Sequence, residues 1–75
     1  MIEYNIFVEG AGKAEIMNAM LYAGYSMLEW SFIVIEQIEK AGGTELIVEF
    51  DTSFNGDNFV YELELAGFSV SVFEL

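Results

Sequence analysis

Carboxylates are the abundant ionisable side chains of this sequence: thirteen Asp and Glu stand against Lys13 and Lys40, with no Arg, His or Cys. Two acids two residues apart, such as Glu49 and Asp51, could divide acid and base roles as in glycoside hydrolysis. The side chains that usually supply a nucleophile, a neutral-pH base or a clamp for anions are missing, and neither lysine has neighbours that would depress its pKa. On a strand of a small domain, the row Glu45, Glu49, Asp51 is a solvated edge that discourages edge-to-edge aggregation. The expectation is a non-enzymatic protein with no cofactor.

One stretch has metal-ligand spacing. Asp51-Thr52-Ser53-Phe54-Asn55-Gly56-Asp57-Asn58-Phe59-Val60-Tyr61-Glu62 resembles an EF-hand calcium loop, with oxygen-bearing side chains at loop positions one, three and five, Gly at six and Glu at twelve. It departs from that pattern at Asn58, where an aliphatic residue pairs loops, at apolar Phe59, and in being preceded by a strand-like segment rather than a helix. The competing reading is an Asn-Gly loop with Asn55 or Asp57 capping a helix. The expectation is no metal.

These residues must be positioned by the apolar segments around them. Leu28 to Asp51 contains two runs, LEWSFIVIEQI and TELIVEFD, separated by Glu39-Lys40-Ala41-Gly42-Gly43, and reads as a β-hairpin. Leu46, Val48 and Phe50 alternate with Glu45, Ile47, Glu49 and Asp51, whereas Phe32-Ile33-Val34-Ile35 has no polar interruption. Ile2 to Glu9 reads as a first strand with Ile2, Tyr4, Ile6 and Val8 on one face. Lys13 to Ala23 has helical spacing, with Gly24 as its stop. Thr52 to Gly56 is read as a loop, Asp57 to Ala66 as a second helix stopped by Gly67, and Ser69 to Leu75 as the last strand.

The two helix exits nearly repeat, Ala23-Gly24-Tyr25-Ser26 and Ala66-Gly67-Phe68-Ser69, as two βαβ halves would produce. The expected fold is therefore α+β, a ferredoxin-like β-α-β-β-α-β sandwich. Its four-stranded antiparallel sheet has order 4-1-3-2, with both helices on one face. No cysteine is present to hold an iron-sulfur cluster, so the label describes shape alone.

That topology leaves a sheet face uncovered. Alternation places Glu3, Asn5, Phe7 and Glu9 on it from the first strand and Ile33 and Ile35 from the second. The third contributes Glu45, Ile47, Glu49 and Asp51, and the fourth Ser71 and Phe73. Phe7, Ile33, Ile35, Ile47 and Phe73 would form an apolar centre larger than a monomer usually leaves in water. A homodimer, a different protein partner or a side-chain cover would each account for it. RNA-recognition domains of this shape stack bases on sheet aromatics, and Phe7 is suitably placed, but the surrounding Glu3, Glu9, Glu45 and Glu49 would repel RNA. Glu36, Glu39, Asp57, Glu62 and Glu64 form a second candidate patch.

Charge narrows the partner. The formal net charge is -11 on 75 residues, where a magnitude of roughly 2 to 8 suffices for solubility. Such a field excludes nucleic acid and anionic membrane as direct partners and attracts basic surfaces. The chain is 55% hydrophobic and 16% aromatic, with mean hydropathy +0.43, so it is a folded domain rather than an acidic tail. The absence of cysteine and of any signal peptide or apolar span of ~30 Å points to a soluble, cytoplasmic protein.

In size, acidity and compact α/β character the chain resembles the small phage-encoded inhibitors that mimic nucleic acid, among them anti-CRISPR proteins. The resemblance implies occlusion of a basic nucleic-acid-binding channel, in a Cas effector or another DNA-binding protein of the host cytoplasm. It carries no individual residue across. The alternative is a small regulatory module that dimerises or binds a protein through its sheet face. Crowded acids also imply that salt raises the melting temperature and that mild acid stabilises at first, through carboxyl pKa values raised by repulsion.

Overall fold

The computed structural model describes all 75 residues, Met1 to Leu75. Seven elements follow in order: β1 (Ile2–Glu9), α1 (Lys13–Tyr22), α2 (Met27–Ile33), β2 (Val34–Lys40), β3 (Gly43–Phe50), α3 (Ser53–Leu65) and β4 (Ser69–Glu74). The fold is α+β, with one antiparallel sheet in the order β2-β3-β1-β4. This is the expected 4-1-3-2 counted from the opposite edge.

Alternation in the central strands separates two faces. Tyr4, Ile6 and Val8 of β1 and Leu46, Val48 and Phe50 of β3 are buried against Ile16 and Met20 of α1, Trp30 of α2, and Phe59 and Leu63 of α3. Phe59 is the hub, with ring centroids 5.3 Å from Phe50, 5.6 Å from Tyr25 and 6.1 Å from Trp30. The one buried polar side chain, Thr44, donates its hydroxyl to the Ala11 carbonyl at 2.7 Å, fastening the start of β3 to the β1–α1 loop.

The repeated helix exits have one geometry. Tyr25 N–H donates to the Met20 carbonyl and Gly24 N–H to that of Leu21, both at 3.1 Å; Phe68 and Gly67 repeat the bonds to Leu63 and Glu64 at 3.2 and 3.0 Å. This doubled closure needs a left-handed residue at its second-to-last position, and Gly24 and Gly67 supply φ of 115° and 95°.

Three expectations are corrected. The chain has three helices rather than two, because Met27–Ile33 is helical where the run from Leu28 was expected to be the first strand of the hairpin. Ser26 Oγ accepts from Glu29 N–H, and Glu29 Oε1 accepts from Ser26 N–H, both at 3.0 Å. This reciprocal cap starts a helix that inserts Trp30 into the core. The first Ala-Gly-aromatic exit thus leads into α2 rather than into a strand. The third helix begins at Ser53, four residues before the expected Asp57, because Thr52 caps it by accepting from Asn55 N–H at 3.2 Å. Ser53 to Glu62 are therefore helical, and the calcium-loop spacing falls on a helix rather than on a loop.

Candidate functional site

Strand pairing fixes which side chains share the uncovered face, since Cα partners point the same way. One row across the sheet is Glu36, Ile47, Asn5 and Phe73; the next is Ile38, Glu45, Phe7 and Ser71. Lys40, Gly43, Glu9 and Ser69 follow, while Glu49 and Glu3 pair beyond the first row. Glu3, Phe7, Glu9, Glu45, Ile47, Glu49 and Phe73 are thus brought together as expected.

Three expected members fall outside these rows. Ile33 belongs to the last turn of α2, half-buried against the core cluster. Ile35 is an unpaired residue in a register shift between Val34 and Glu36, and it is 54% exposed. One extra residue reverses the alternation of β2, so Glu36 and Ile38 take the places on the open face. Asp51 lies past the end of β3 and accepts from Asn55 Nδ2 at 2.6 Å, turned toward α3. Among the paired strand residues the apolar centre is Phe7, Ile38, Ile47 and Phe73. Phe7 itself lies over Gly43, where a Cβ would stand 2.8 Å from Phe7 Cζ and would strike the Val8 carbonyl.

Electrostatically the face is one-sided. Glu3, Glu9, Glu36, Glu45 and Glu49 share it with Lys40. The Lys40 ammonium is 3.2 Å from Glu45 Oε2, which also accepts from Asn5 Nδ2 at 3.0 Å. These contacts, Asn5 first and Lys40 second, hold the Glu45 carboxyl below its ordinary pKa. Asp51 is likewise lowered, chiefly by Asn55.

Glu49 stands at a corner. It also lines a cleft of about 640 Å³ between α2, α3 and the end of β3, together with Glu29, Asp51 and Glu62 and the carboxamides of Asn55 and Asn58. Tyr25, Phe32 and Phe50 supply apolar wall, and no lysine reaches it. Burial pushes the Tyr25 phenol above its usual pKa; Asn58 opposes this, while Glu62 and Glu29 add to it. Carboxylates therefore continue from the open face around the end of β3 into the cleft.

The second expected patch is dispersed. Glu36 is on the open face, Glu62 in the cleft, Glu39 near the start of α1 with Oε2 3.5 Å from Lys13 N, and Asp57 beside the Tyr4 phenol. The cleft itself was missed, because it depends on α2. Its one sequence signal is the Ser26-to-Glu29 spacing that starts that helix.

No helix is long and apolar enough to cross a membrane. No protein-family model matches the chain, and no match emerges among curated proteins or solved structures.

Proposed function

We propose that the protein is a non-enzymatic acidic inhibitor that mimics nucleic acid. It acts in the cytoplasm by occluding the basic groove of a nucleic-acid-binding target such as a CRISPR-Cas effector. The observation that carries this reading is the continuous carboxylate surface joined at Glu49: Glu3, Glu9, Glu36 and Glu45 on one side, Asp51, Glu29 and Glu62 on the other. Fixed on strands and helix ends, these charges are held in place before binding, as phosphates on a duplex are. Steering by such a surface makes association fast and steeply salt-dependent.

We read the frame as a ferredoxin-like β-α-β-β-α-β sandwich with α2 inserted after the first helix. In that frame the open face is where RNA-recognition domains carry aromatic and basic residues, and here the same position carries acids. Dimerisation through the open face is the weaker reading, because stacking two copies would set five glutamates against five around the apolar centre.

The test is displacement of labelled nucleic acid from basic nucleic-acid-binding proteins, Cas effectors and restriction enzymes included. Displacement should weaken sharply between about 0.1 and 1 M salt. The combined substitution Glu3→Gln, Glu45→Gln, Glu49→Gln should abolish it, while Glu15→Gln with Glu64→Gln should not. Failure of every basic target to be displaced at low salt would overturn the reading.

A further inference from the structure

The two edges of the sheet are unlike. The β2 edge carries the register shift at Ile35 and the charges of Glu36, Glu39 and Lys40, which are the devices that keep a strand from pairing with another chain. The β4 edge has no register shift, and its one charge, Glu74, stands at its end. It pairs with β1 in unbroken register from Ser69 to Glu74, and Ser69-Val70-Ser71-Val72-Phe73 contains no charge, proline or glycine.

Antiparallel geometry shows which of its backbone groups are free. Leu75 N–H donates to the Glu3 carbonyl at 2.8 Å, so odd-numbered β4 residues exchange bonds with β1 and even-numbered ones point away. Val70, Val72 and Glu74 thus direct their N–H and C=O groups off the sheet. Exposed apolar side chains flank them on both faces, Val72 at 39% on the helix side and Phe73 at 63% on the open side.

We infer that β4 pairs with β4 of a second copy, antiparallel and about a twofold axis at Ser71. The occupant of such an edge must be a strand, because three consecutive outward donor–acceptor pairs match only an extended backbone. The sequence is self-complementary about Ser71: each Val70 then faces the other copy's Val72 in a hydrogen-bonded pair, and Ser69 faces Phe73. In a chain of net charge -11 this uncharged run is also where two copies approach with least repulsion. Because the β2 edge is blunted, pairing closes as a dimer and does not continue into a filament. The twofold axis is perpendicular to the sheet, so both open faces lie on one side. The result is an eight-stranded surface about 38 Å wide at about 4.8 Å per strand.

Light scattering over a micromolar concentration series should give twice the 8.4 kDa chain mass. The dimer fraction should rise between about 0.1 and 1 M salt as repulsion is screened, opposite to the response of a complex with a basic target. Val72→Lys should return the monomer. Amide exchange at Val70 and Val72 should be slow in the dimer and fast in that variant, while Ser71 stays slow in both. In this cysteine-free chain, Ser71→Cys should cross-link spontaneously to a disulfide dimer, since facing residues of this type sit about 4.5 Å apart at Cα, while Glu36→Cys should not. A mass of 8.4 kDa throughout, with fast Val70 and Val72 amides and no Ser71→Cys cross-link, overturns the inference. So does a dimer that survives Val72→Lys.

Discussion

Glu3 and Glu49 are direct cross-strand partners in the β1–β3 ladder, two carboxylates on one face. The one lysine on this face, Lys40, lies three rows away across the sheet and is held by Glu45. Like charges directly opposite cost roughly 0.2–1 kcal/mol. Glu49→Gln should therefore raise the stability measured by denaturant unfolding by about 0.5 kcal/mol at low salt and by less at high salt. Wild-type melting temperature should itself rise with salt. A neutral or destabilising Glu49→Gln would show that the pair is relaxed.

Glu45 responds to pH in the opposite sense to a repelled acid. Its folded pKa is lowered by Asn5 and then Lys40, and that of Asp51 by Asn55. A carboxyl lowered by folding contributes stability that is present above its unfolded pKa and lost as pH falls through the folded one. For these two groups acid is destabilising from about pH 4 downward, the opposite of the stabilisation by mild acid expected of repelled carboxyls. NMR titration should place the Glu45 midpoint below the ordinary glutamate range, and Asn5→Leu should move it upward. A midpoint unmoved by Asn5→Leu would contradict the assigned cause.

Gly56 lies inside α3, where alanine is ordinarily better by about 1 kcal/mol. Here a Cβ would collide with the Tyr4 ring, standing 2.9 Å from both Cζ and the hydroxyl oxygen. The sign should reverse, with Gly56→Ala losing about 1–3 kcal/mol by overpacking. A double-mutant cycle with Tyr4→Leu should recover part of that loss. Additive losses would locate the strain elsewhere.

The cap of α2 is separable from its packing. Ser26→Ala removes the oxygen that accepts from Glu29 N–H and should cost about 1 kcal/mol, with Ser26→Asp restoring most of it. Hydrogen exchange at Trp30 and Ser31 should quicken more than at Val48 if the loss is local to this helix.

Much of this fold was legible because the central strands obey a strict two-residue period. Tyr4, Ile6 and Val8 face inward, as do Leu46, Val48 and Phe50, with Asn5, Phe7, Ile47 and Glu49 between them facing out. The helix stops were legible because Ala-Gly-aromatic encodes one backbone closure at both sites. The segment from Met27 to Ile35 was not, because a short apolar run fits a buried strand or a buried helix equally well. The Ser26–Glu29 cap that decides between them is a two-residue signal. The Ile35 register shift has no sequence signature, and it alone moves Ile38 onto the open face. The cleft was invisible for the same reason as α2.

Trp30 is the sole indole of the chain, 4% exposed, against Phe59. Its emission consequently reports on the seating of one short helix, whereas the four tyrosines, Tyr4 on β1, Tyr22 on α1, Tyr25 before α2 and Tyr61 on α3, are spread over the domain and belong to a different optical channel. Heating followed at both wavelengths can distinguish loosening of that helix from loss of the whole domain. A red-shift that precedes the tyrosine transition would mark α2 as a hinged flap over the aromatic hub, whereas coincident curves would make it part of one cooperative unit. The same fluorophore borders the acidic cleft through its neighbour Glu29. A basic protein seating there would announce itself without any attached dye.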